Sequence, residues 1–227
     1  MNRGKIFGIG VGPGDPELLT LKAVRLLRAC DLIAIPQKKE RCFALRIALG
    51  ALPELAEKPV MEVVLPMTRD KAARERAHEA AAAALAEQLD AGRIVVFLTL
   101  GDPTIYSTYG YLHRRLVHLG YDASLVPGVP SFCASAAALG ISLCEDREEL
   151  HLLPGGGDAA RTLTYPGCRV FMKGELPTLL EAAEEAAQPL LGVENCGTGT
   201  ERLYRSAEEI PADAGYYTLI IAKEMKI

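Results

Sequence analysis

Short apolar runs alternate with helical patterns through the first half of the chain, and this alternation most limits the folds available. The strand-sized runs are Lys5–Val11, Leu32–Ile35, Val60–Leu65, Ile94–Leu100 and Ala123–Val126. The helical patterns between them are Thr20–Ala29, Phe43–Leu49, Lys71–Leu89 and Ser107–Leu119. Strands and helices that alternate in this way are typical of a parallel sheet covered by helices. The first half is therefore predicted to be an α/β domain.

The pattern changes after the turn at Pro127–Pro130. Two helical patterns remain, at Ser131–Leu139 and Leu176–Ala187. The apolar runs of this half are Leu150–Leu153, Val170–Met172, Leu190–Val193 and Tyr216–Ala222. Many strands with few helices predict a second sheet that is mixed or partly antiparallel. We expect two α/β domains, residues 1–120 and 121–227, with the boundary near Gly120.

Composition argues against several classes of function. Hydrophobic residues make up 49% of the 227 residues, enough for a sizeable core, and the net charge of -4 gives no general attraction to nucleic acid. No run approaches the roughly 18 apolar residues of a membrane helix, so no membrane partner is expected. The six cysteines lie far apart without a CxxC pair, and the chain starts without a secretory pattern, which together favour reduced thiols and a cytoplasmic protein. Neither the cysteines nor the histidines have metal-ligand spacing, and no metal is expected.

A glycine-rich loop follows the first predicted strand. A dinucleotide-binding GxGxxG motif requires a third glycine, but that position holds Pro13 when counting starts at Gly8 and Asp15 when it starts at Gly10. Gly8, Gly10 and Gly12 do match GxGxG, the loop of the common nucleotide-fold methyltransferases, although a ribose-binding acid is lacking. The other alternative is a tight turn between strand and helix. The loop alone does not distinguish a methyltransferase loop from a tight structural turn.

Two further turns follow strands of the same half. Asp102 ends a buried run, and Pro103 restrains it to an extended conformation at the carboxyl end of the sheet, where open α/β folds bind ligands. Alternatively, Asp102 is a helix N-cap with Pro103 at the first helical position. The third turn carries two prolines and precedes the apolar helix that begins at Ser131.

Together these turns resemble the tetrapyrrole methylases in their amino-acid sequences, in their order along the chain and in the distances between them. The matching strings are VGPGDPELLTLKA (Val11–Ala23), LPMTRD (Leu65–Asp70), FLTLGDPTIYSTYGYL (Phe97–Leu112), PGVPSFCASAAALG (Pro127–Gly140), FMKG (Phe171–Gly174) and YYTLIIAK (Tyr216–Lys223). Within the family, these motif sequences are most similar to those of the enzymes that methylate carbon 20 of precorrin-2 or cobalt-factor II in cobalamin biosynthesis. Methylation of another ring carbon and a tetrapyrrole-binding protein without activity remain alternatives.

The resemblance implies a two-domain α/β fold that binds S-adenosylmethionine in the cleft between domains, and a homodimer. It implies contacts with the cofactor from residues of both domains, namely Pro13, Leu100, Gly101, Asp102, Ile105, Ser131, Phe132, Met172, Asn195, Cys196 and Gly197. The opening loop, with Gly12, Pro13 and Gly14, is expected to face the tetrapyrrole substrate.

The implied reaction transfers a methyl group from a sulfonium to a meso carbon, which must afterwards lose a proton. Asp102 is the candidate general base, with Tyr106, Tyr216 or Tyr217 as hydrogen-bonding partner. A cofactor contact without proton transfer is the alternative role for Asp102. Precorrin-2 carries eight carboxylates, so basic residues are candidate clamps. The first candidates are Lys38, Lys39 and Arg41, followed by Arg69, Lys71, His113 and Arg114.

Overall fold

The computed structural model describes residues 3–66, 68, 70–155, 157–172 and 175–224, which divide into two compact units after Pro130. Within the described residues, no helix combines the length and apolar character that crossing a bilayer requires.

The first unit is a parallel sheet with helices on both faces. Its elements are β1 (Lys5–Gly10), α1 (Leu21–Ala29), β2 (Leu32–Ile35), α2 (Phe43–Ala51), β3 (Val60–Glu62), α3 (Lys71–Asp90), β4 (Ile94–Thr99), α4 (Tyr109–His118) and β5 (Asp122–Val126). The strand order is β3-β2-β4-β1-β5, and every pair is parallel. One core lies under α1 and α2 and the other under α3 and α4. The prediction of a parallel α/β sheet is confirmed.

Local chemistry explains the longest helix of this unit. The Asp70 carboxylate accepts hydrogen bonds from the backbone N–H groups of Ala72 and Ala73 and so caps α3. The alanine-rich body has high helix propensity, while Leu85 and Leu89 are fully buried against the sheet. Gly92 follows the helix with a φ of 78°, a conformation that glycine adopts without strain.

The second unit contains a mixed sheet. Its elements are α5 (Ser131–Leu139), β6 (Leu150–Pro154), α6 (Ala159–Leu163), β7 (Cys168–Met172), α7 (Leu176–Glu185), β8 (Leu190–Glu194), β9 (Arg202–Tyr204) and β10 (Thr218–Ala222). The strand order is β6-β7-β10-β8-β9, in which β6 and β7 are parallel and the other pairs are antiparallel. Apolar side chains of α6 and α7 share a core with β8 and β10. The prediction of a mixed second sheet is confirmed.

The larger differences from the sequence prediction concern the domain boundary, two short elements and the end of one strand. A boundary near Gly120 separates β5 from the sheet in which it pairs with β1, and the first compact unit continues to Pro130. The prediction omitted β9 and α6 because three and five residues are too short for a periodic pattern. Strand β3 ends at Glu62, three residues before the predicted Leu65.

Candidate functional site

Three loops of the first unit meet at the carboxyl edge of its sheet, because β4 and β5 flank β1. Their backbones approach so closely that the contact positions must be glycine. A Cβ atom on Gly10 would lie 2.4 Å from the carbonyl oxygen of Gly101 and 2.7 Å from the nitrogen of Gly128. A Cβ atom on Gly128 would lie 2.3 Å from that same oxygen. Gly10 and Gly128 therefore allow the three backbones to pack closely at this edge.

The opening loop is held to the loop after β4 by backbone hydrogen bonds. The Gly101 N–H donates to the Gly12 carbonyl at 2.8 Å, and the Gly12 N–H donates to the Gly101 carbonyl at 3.3 Å. The structure thus brings Gly12 and its neighbours Pro13 and Gly14, all buried, beside the predicted cofactor loop. Gly8 has a different role, since a Cβ atom there would lie 2.0 Å from the ring of Tyr109.

The carboxylate of Asp102 joins the loops that follow β4 and β5. Its side chain is only 7% exposed. Oδ1 accepts hydrogen bonds from the backbone N–H of Thr104, at 2.7 Å, and from the Thr104 hydroxyl. Oδ2 accepts from the backbone N–H of Gly128 at 3.0 Å. Hydrogen bonds to a charged acceptor are the stronger kind, so this carboxylate is a clamp between two loops.

The alternative that Asp102 is a helix N-cap is wrong. Helix α4 begins at Tyr109, seven residues later, and the Asp102 carboxylate instead bonds two residues ahead in an Asx turn. The intervening residue Tyr106 has a φ of 47°, in the left-handed region that is uncommon for a non-glycine residue. Tyr106 is 56% exposed and directly follows the predicted cofactor residue Ile105.

The second unit gathers its predicted site residues at one edge of its sheet. The registers place Met172, at the end of β7, opposite Leu219 near the start of β10, and Thr218 opposite the last residue of β8. The segment Asn195–Gly197 follows β8 directly, and the Asn195 N–H donates to the Tyr217 carbonyl at 3.1 Å. The rings of Tyr216 and Tyr217 pack edge to face, with centroids 5.3 Å apart.

Two other predicted residues of this unit open helix α5, which packs against β8 and β10. Ser131 is half-buried and Phe132 is 7% exposed.

Burial raises the pKa of the Cys196 thiol, which therefore stays protonated near neutral pH.

The sequence patterns do not single out Glu194, although it connects both loops of this edge. One carboxylate oxygen accepts from the Gly215 N–H at 2.9 Å, and the other accepts from the Tyr204 hydroxyl at 2.9 Å. Glu194 directly precedes Asn195, while Gly215 directly precedes Tyr216. The only sequence signal for such a role is an acid at the end of an apolar strand. Thr104 and Gly128, which hold Asp102, were likewise not predicted as its partners.

The candidate carboxylate clamps fall into different environments. The Lys38 ammonium lies 3.0 Å from Glu62, whose pKa is lowered by hydrogen bonds from the Lys39 backbone and from Lys38. Arg41 is exposed at the end of the same short turn, and Lys71 is exposed at the start of α3. Arg69 lies outside the described residues.

The last two candidates, His113 and Arg114, line a cavity on α4. Burial and the neighbouring Arg114 lower the pKa of His113, so neutral imidazole is the favoured form near pH 7. In the part of the chain that the structure describes, no group of three or more His, Cys, Asp or Glu side chains is arranged to hold a metal ion.

Comparison with known proteins agrees with this architecture. The family model for Tetrapyrrole (Corrin/Porphyrin) Methylases matches residues 5–211. A protein of Methanocaldococcus jannaschii named probable cobalt-precorrin-2 C(20)-methyltransferase is 37% identical over 170 residues, which cover 74% of this chain and 72% of the relative. The precorrin-2 C(20)-methyltransferase of a Sinorhizobium species is 31% identical over 237 residues, 98% of this chain and 96% of the relative.

A solved structure extends the likeness to three dimensions. The uroporphyrin-III C-methyl transferase of Thermus thermophilus, complexed with S-adenyl homocysteine, has a TM-score of 0.69 and 27% identity. The alignment covers 97% of this chain and 98% of the Thermus protein. With a family match over most of its length and relatives above 30% identity, the chain belongs to the tetrapyrrole (corrin/porphyrin) methylase family.

Proposed function

We propose that this protein is an S-adenosylmethionine-dependent methyltransferase that methylates carbon 20 of precorrin-2 or cobalt-factor II in cobalamin biosynthesis. The observation that carries the proposal is the likeness to precorrin-2 C(20)-methyltransferase over 98% of the chain. The two sheet edges support it, because each collects the residues expected to contact cofactor or substrate. One fold hosts many activities, so the residues at these edges matter to the function as much as the fold does.

The residues present fit S-adenosylmethionine in chemistry. At the edge of the second sheet, the half-buried Met172 offers a thioether surface for an adenine ring, and the half-buried Asn195 amide offers both a donor and an acceptor. The loop after β4 contributes backbone groups at Leu100 and Gly101. The remaining proposed contacts are Pro13, Asp102, Ile105, Ser131, Phe132, Cys196 and Gly197.

The bound cofactor supplies an electrophilic methyl group on a sulfonium, and the electron-rich ring of the substrate supplies the attacking carbon. The protein's task is to hold carbon, methyl and sulfur in line, and orientation of this kind contributes several kcal/mol to a barrier. Rigid loops suit this task. The contacts among Gly10, Gly101 and Gly128, together with the Asp102 clamp, fix the first-unit edge before any ligand binds.

Asp102 is proposed to position these loops and to accept the proton that the methylated carbon loses. A carboxylate has about four acceptor sites, and the observed bonds from Thr104 and Gly128 occupy three of them. The fourth leaves Oδ2 able to accept a further hydrogen bond. Tyr106, Tyr216 and Tyr217 are the proposed hydrogen-bonding partners of the substrate.

Homodimeric assembly and a cytoplasmic location complete the proposal. The dimer follows from the family resemblance, and the location is supported by six cysteines that are all free thiols. Light scattering on the purified protein tests the dimer, and a monomer at micromolar concentration would contradict it.

The proposal is tested by anaerobic turnover with methyl-labelled S-adenosylmethionine, with precorrin-2 and cobalt-factor II offered in parallel. The new methyl group is located by NMR and is expected on carbon 20, and the faster substrate identifies the route that the enzyme serves. Label on another ring carbon would correct the position of methylation. Absence of transfer to either substrate, despite measurable cofactor binding, would overturn the assignment and favour a tetrapyrrole-binding protein without activity.

A further inference from the structure

A cavity of about 500 Å³ lies beside the Asp102 loop, between that loop and helix α4. We call it the α4 cavity. It is lined by the turn residues 103–104 and 106–108, by Gly110, Tyr111, His113 and Arg114 of α4, and by Leu125 of β5. One of its lining residues, Thr104, is held directly by the Asp102 carboxylate. The α4 cavity therefore continues from the loop that the proposed function places at the reacting groups.

The lining of the α4 cavity carries positive charge without a compensating acid. None of its lining residues is an aspartate or glutamate. Across the described residues, no carboxylate lies within 4 Å of the Arg114 guanidinium, whereas the adjacent Arg115 pairs with Glu75. Lys38 is likewise already paired, with Glu62. Arg114 is thus the cation of this cavity that remains available to an anionic ligand.

Stacking holds the Arg114 side chain in place. Its guanidinium lies over the ring of Tyr111, 5.1 Å from the centroid, and that ring stacks in turn on His78 of α3 at 4.8 Å. A stacked guanidinium keeps its planar set of donors while losing conformational freedom, which lowers the cost of binding a carboxylate in two places at once.

The rest of the lining suits a ligand that is both anionic and aromatic. The side chains of Tyr106 and Tyr111 are exposed, and Thr104, Ser107 and Thr108 bring hydroxyl groups. His113 adds a ring nitrogen, Nδ1, that is shielded from solvent and has no hydrogen-bond partner in the described part of the chain.

We propose that the α4 cavity binds a peripheral carboxylate arm of the tetrapyrrole, with Arg114 as the partner of the carboxylate and Tyr106 beside the macrocycle. The inference rests on the proposed function, because it assigns a subsite for that substrate class. The left-handed backbone at Tyr106 supports it, since such strain concentrates where a side chain is held for binding. Arg114 is then a specificity-determining residue that acts on binding and leaves the chemical step unchanged.

The test measures equilibrium binding of cobalt-factor II by absorbance titration, together with KM and kcat at saturating S-adenosylmethionine. We expect Arg114→Gln to weaken tetrapyrrole binding and raise KM about tenfold, the usual size for a lost hydrogen bond to a charged group. The value of kcat and the affinity for S-adenosylmethionine should stay within twofold. The tetrapyrrole affinity of Arg114→Lys should lie between that of the parent protein and that of Arg114→Gln, because lysine keeps the charge without the planar donors.

Arg46→Gln is the matched control. Arg46 is also exposed and also stacks on an aromatic ring, that of Phe43 at 5.1 Å, but it lies on α2 outside the α4 cavity. This variant should bind the tetrapyrrole as the parent does. Equal weakening by both variants, or unchanged binding in Arg114→Gln, would overturn the subsite.

The outcomes also separate the subsite from the reaction. Tetrapyrrole binding that depends on Arg114 without any methyl transfer would support the subsite and contradict the proposed reaction. Methyl transfer to carbon 20 that is insensitive to Arg114 would contradict the subsite alone. A change in oligomeric state in Arg114→Gln, with tetrapyrrole affinity retained, would replace the subsite by a contact between protein copies.

Discussion

Each unit buries one carboxylate at its candidate site, Asp102 in the first and Glu194 in the second, and each accepts the N–H of a glycine from a distant loop. Their surroundings differ. Asp102 is held by backbone and hydroxyl donors alone, with no cation within 4 Å among the described residues, whereas Arg202 lies 3.9 Å from Glu194. The parallel edge brings three loops into direct backbone contact, while the mixed edge combines the backbone hydrogen bond from Asn195 to Tyr217 with the side chain of Glu194.

The comparison shows two ways of fixing loops that carry binding residues. In the first unit, the glycine contacts leave little room for substitution, and the carboxylate adds to an already close-packed edge. In the second unit, the side chain of Glu194 connects the strand ends. Tyr216 and Tyr217, which follow Gly215, are 52% and 41% exposed. We therefore expect a rigid first edge and a second edge that adapts more readily to its ligand.

The largest expected effect comes from a methyl group in the close-packed edge. Gly10→Ala places a Cβ atom 2.4 Å from the Gly101 carbonyl oxygen, which is backbone and cannot move alone. We expect a loss of about 3 kcal/mol or more in the free energy of unfolding, measured by urea titration. Gly199→Ala is the control, because no atom lies within 4 Å of a Cβ there. Equal stability of both variants would contradict the description of a rigid edge.

Next in size is the loss of the Asp102 clamp. Because Oδ1 and Oδ2 both accept backbone N–H groups, either orientation of the amide in Asp102→Asn sets an NH2 group against a donor. We expect a loss of about 2 kcal/mol in unfolding free energy, together with reduced methyl transfer. Asp15→Asn is the control, since Asp15 makes the same kind of turn with one exposed bond, to the Glu17 N–H. Lost transfer at full stability would instead favour proton acceptance as the sole role of Asp102.

A smaller effect is expected for the carboxylate of the second unit. Glu194→Gln keeps one carbonyl oxygen for the Gly215 N–H and can turn its amide towards Tyr204, whose hydroxyl can also accept. We expect a loss of about 1 kcal/mol in unfolding free energy and a weaker affinity for S-adenosylmethionine by calorimetry. Glu209→Gln is the control, because among the described residues the Glu209 carboxylate accepts just one hydrogen bond, from the exposed Arg205 N–H. A cost as large as that of Asp102→Asn would remove the contrast between the edges.

The smallest effect concerns pH and belongs to the first unit. Burial, followed by the charge of Arg115, lowers the pKa of His78, while Glu75 opposes the shift and Arg74 adds to it. The unfolded chain then binds more protons than the folded one, so this contribution to stability is complete above pH 6.5 and is lost as pH falls through the lowered pKa. Urea titrations at pH 7.5 and pH 5.5 should show a smaller loss of stability in His78→Gln than in the parent. An equal loss in both would contradict the role of His78.

Sequence reasoning captured what depends on periodicity. The strands of the first sheet follow from the alternation of apolar runs with helical patterns, and the mixed second sheet follows from the scarcity of helices. Short elements such as β9 were missed because three residues carry no period. The same holds for partners across the fold: the Asp102–Gly128 bond joins residues 26 apart, and no local pattern encodes it.

The residues of the candidate site also differ in whether local sequence predicts them. Residues within one turn, such as Leu100, Gly101 and Asp102, are adjacent in sequence, and the turn chemistry marks them. The role of Glu194 depends on the antiparallel register of β8 and β10, which a single sequence does not reveal. Sequence alone also does not show that Arg115 pairs with Glu75 while the adjacent Arg114 remains available to an anionic ligand.

The strand order of the second sheet also bears on how this unit assembles. Strand β10 lies between β7 and β8 and pairs with both, so these two strands do not pair with each other. Because β10 is the last strand along the chain, the sheet can close only when residues 218–222 are in place. Unpaired strand edges can pair with other chains, so we expect a chain that lacks β10 to aggregate more readily than the full protein.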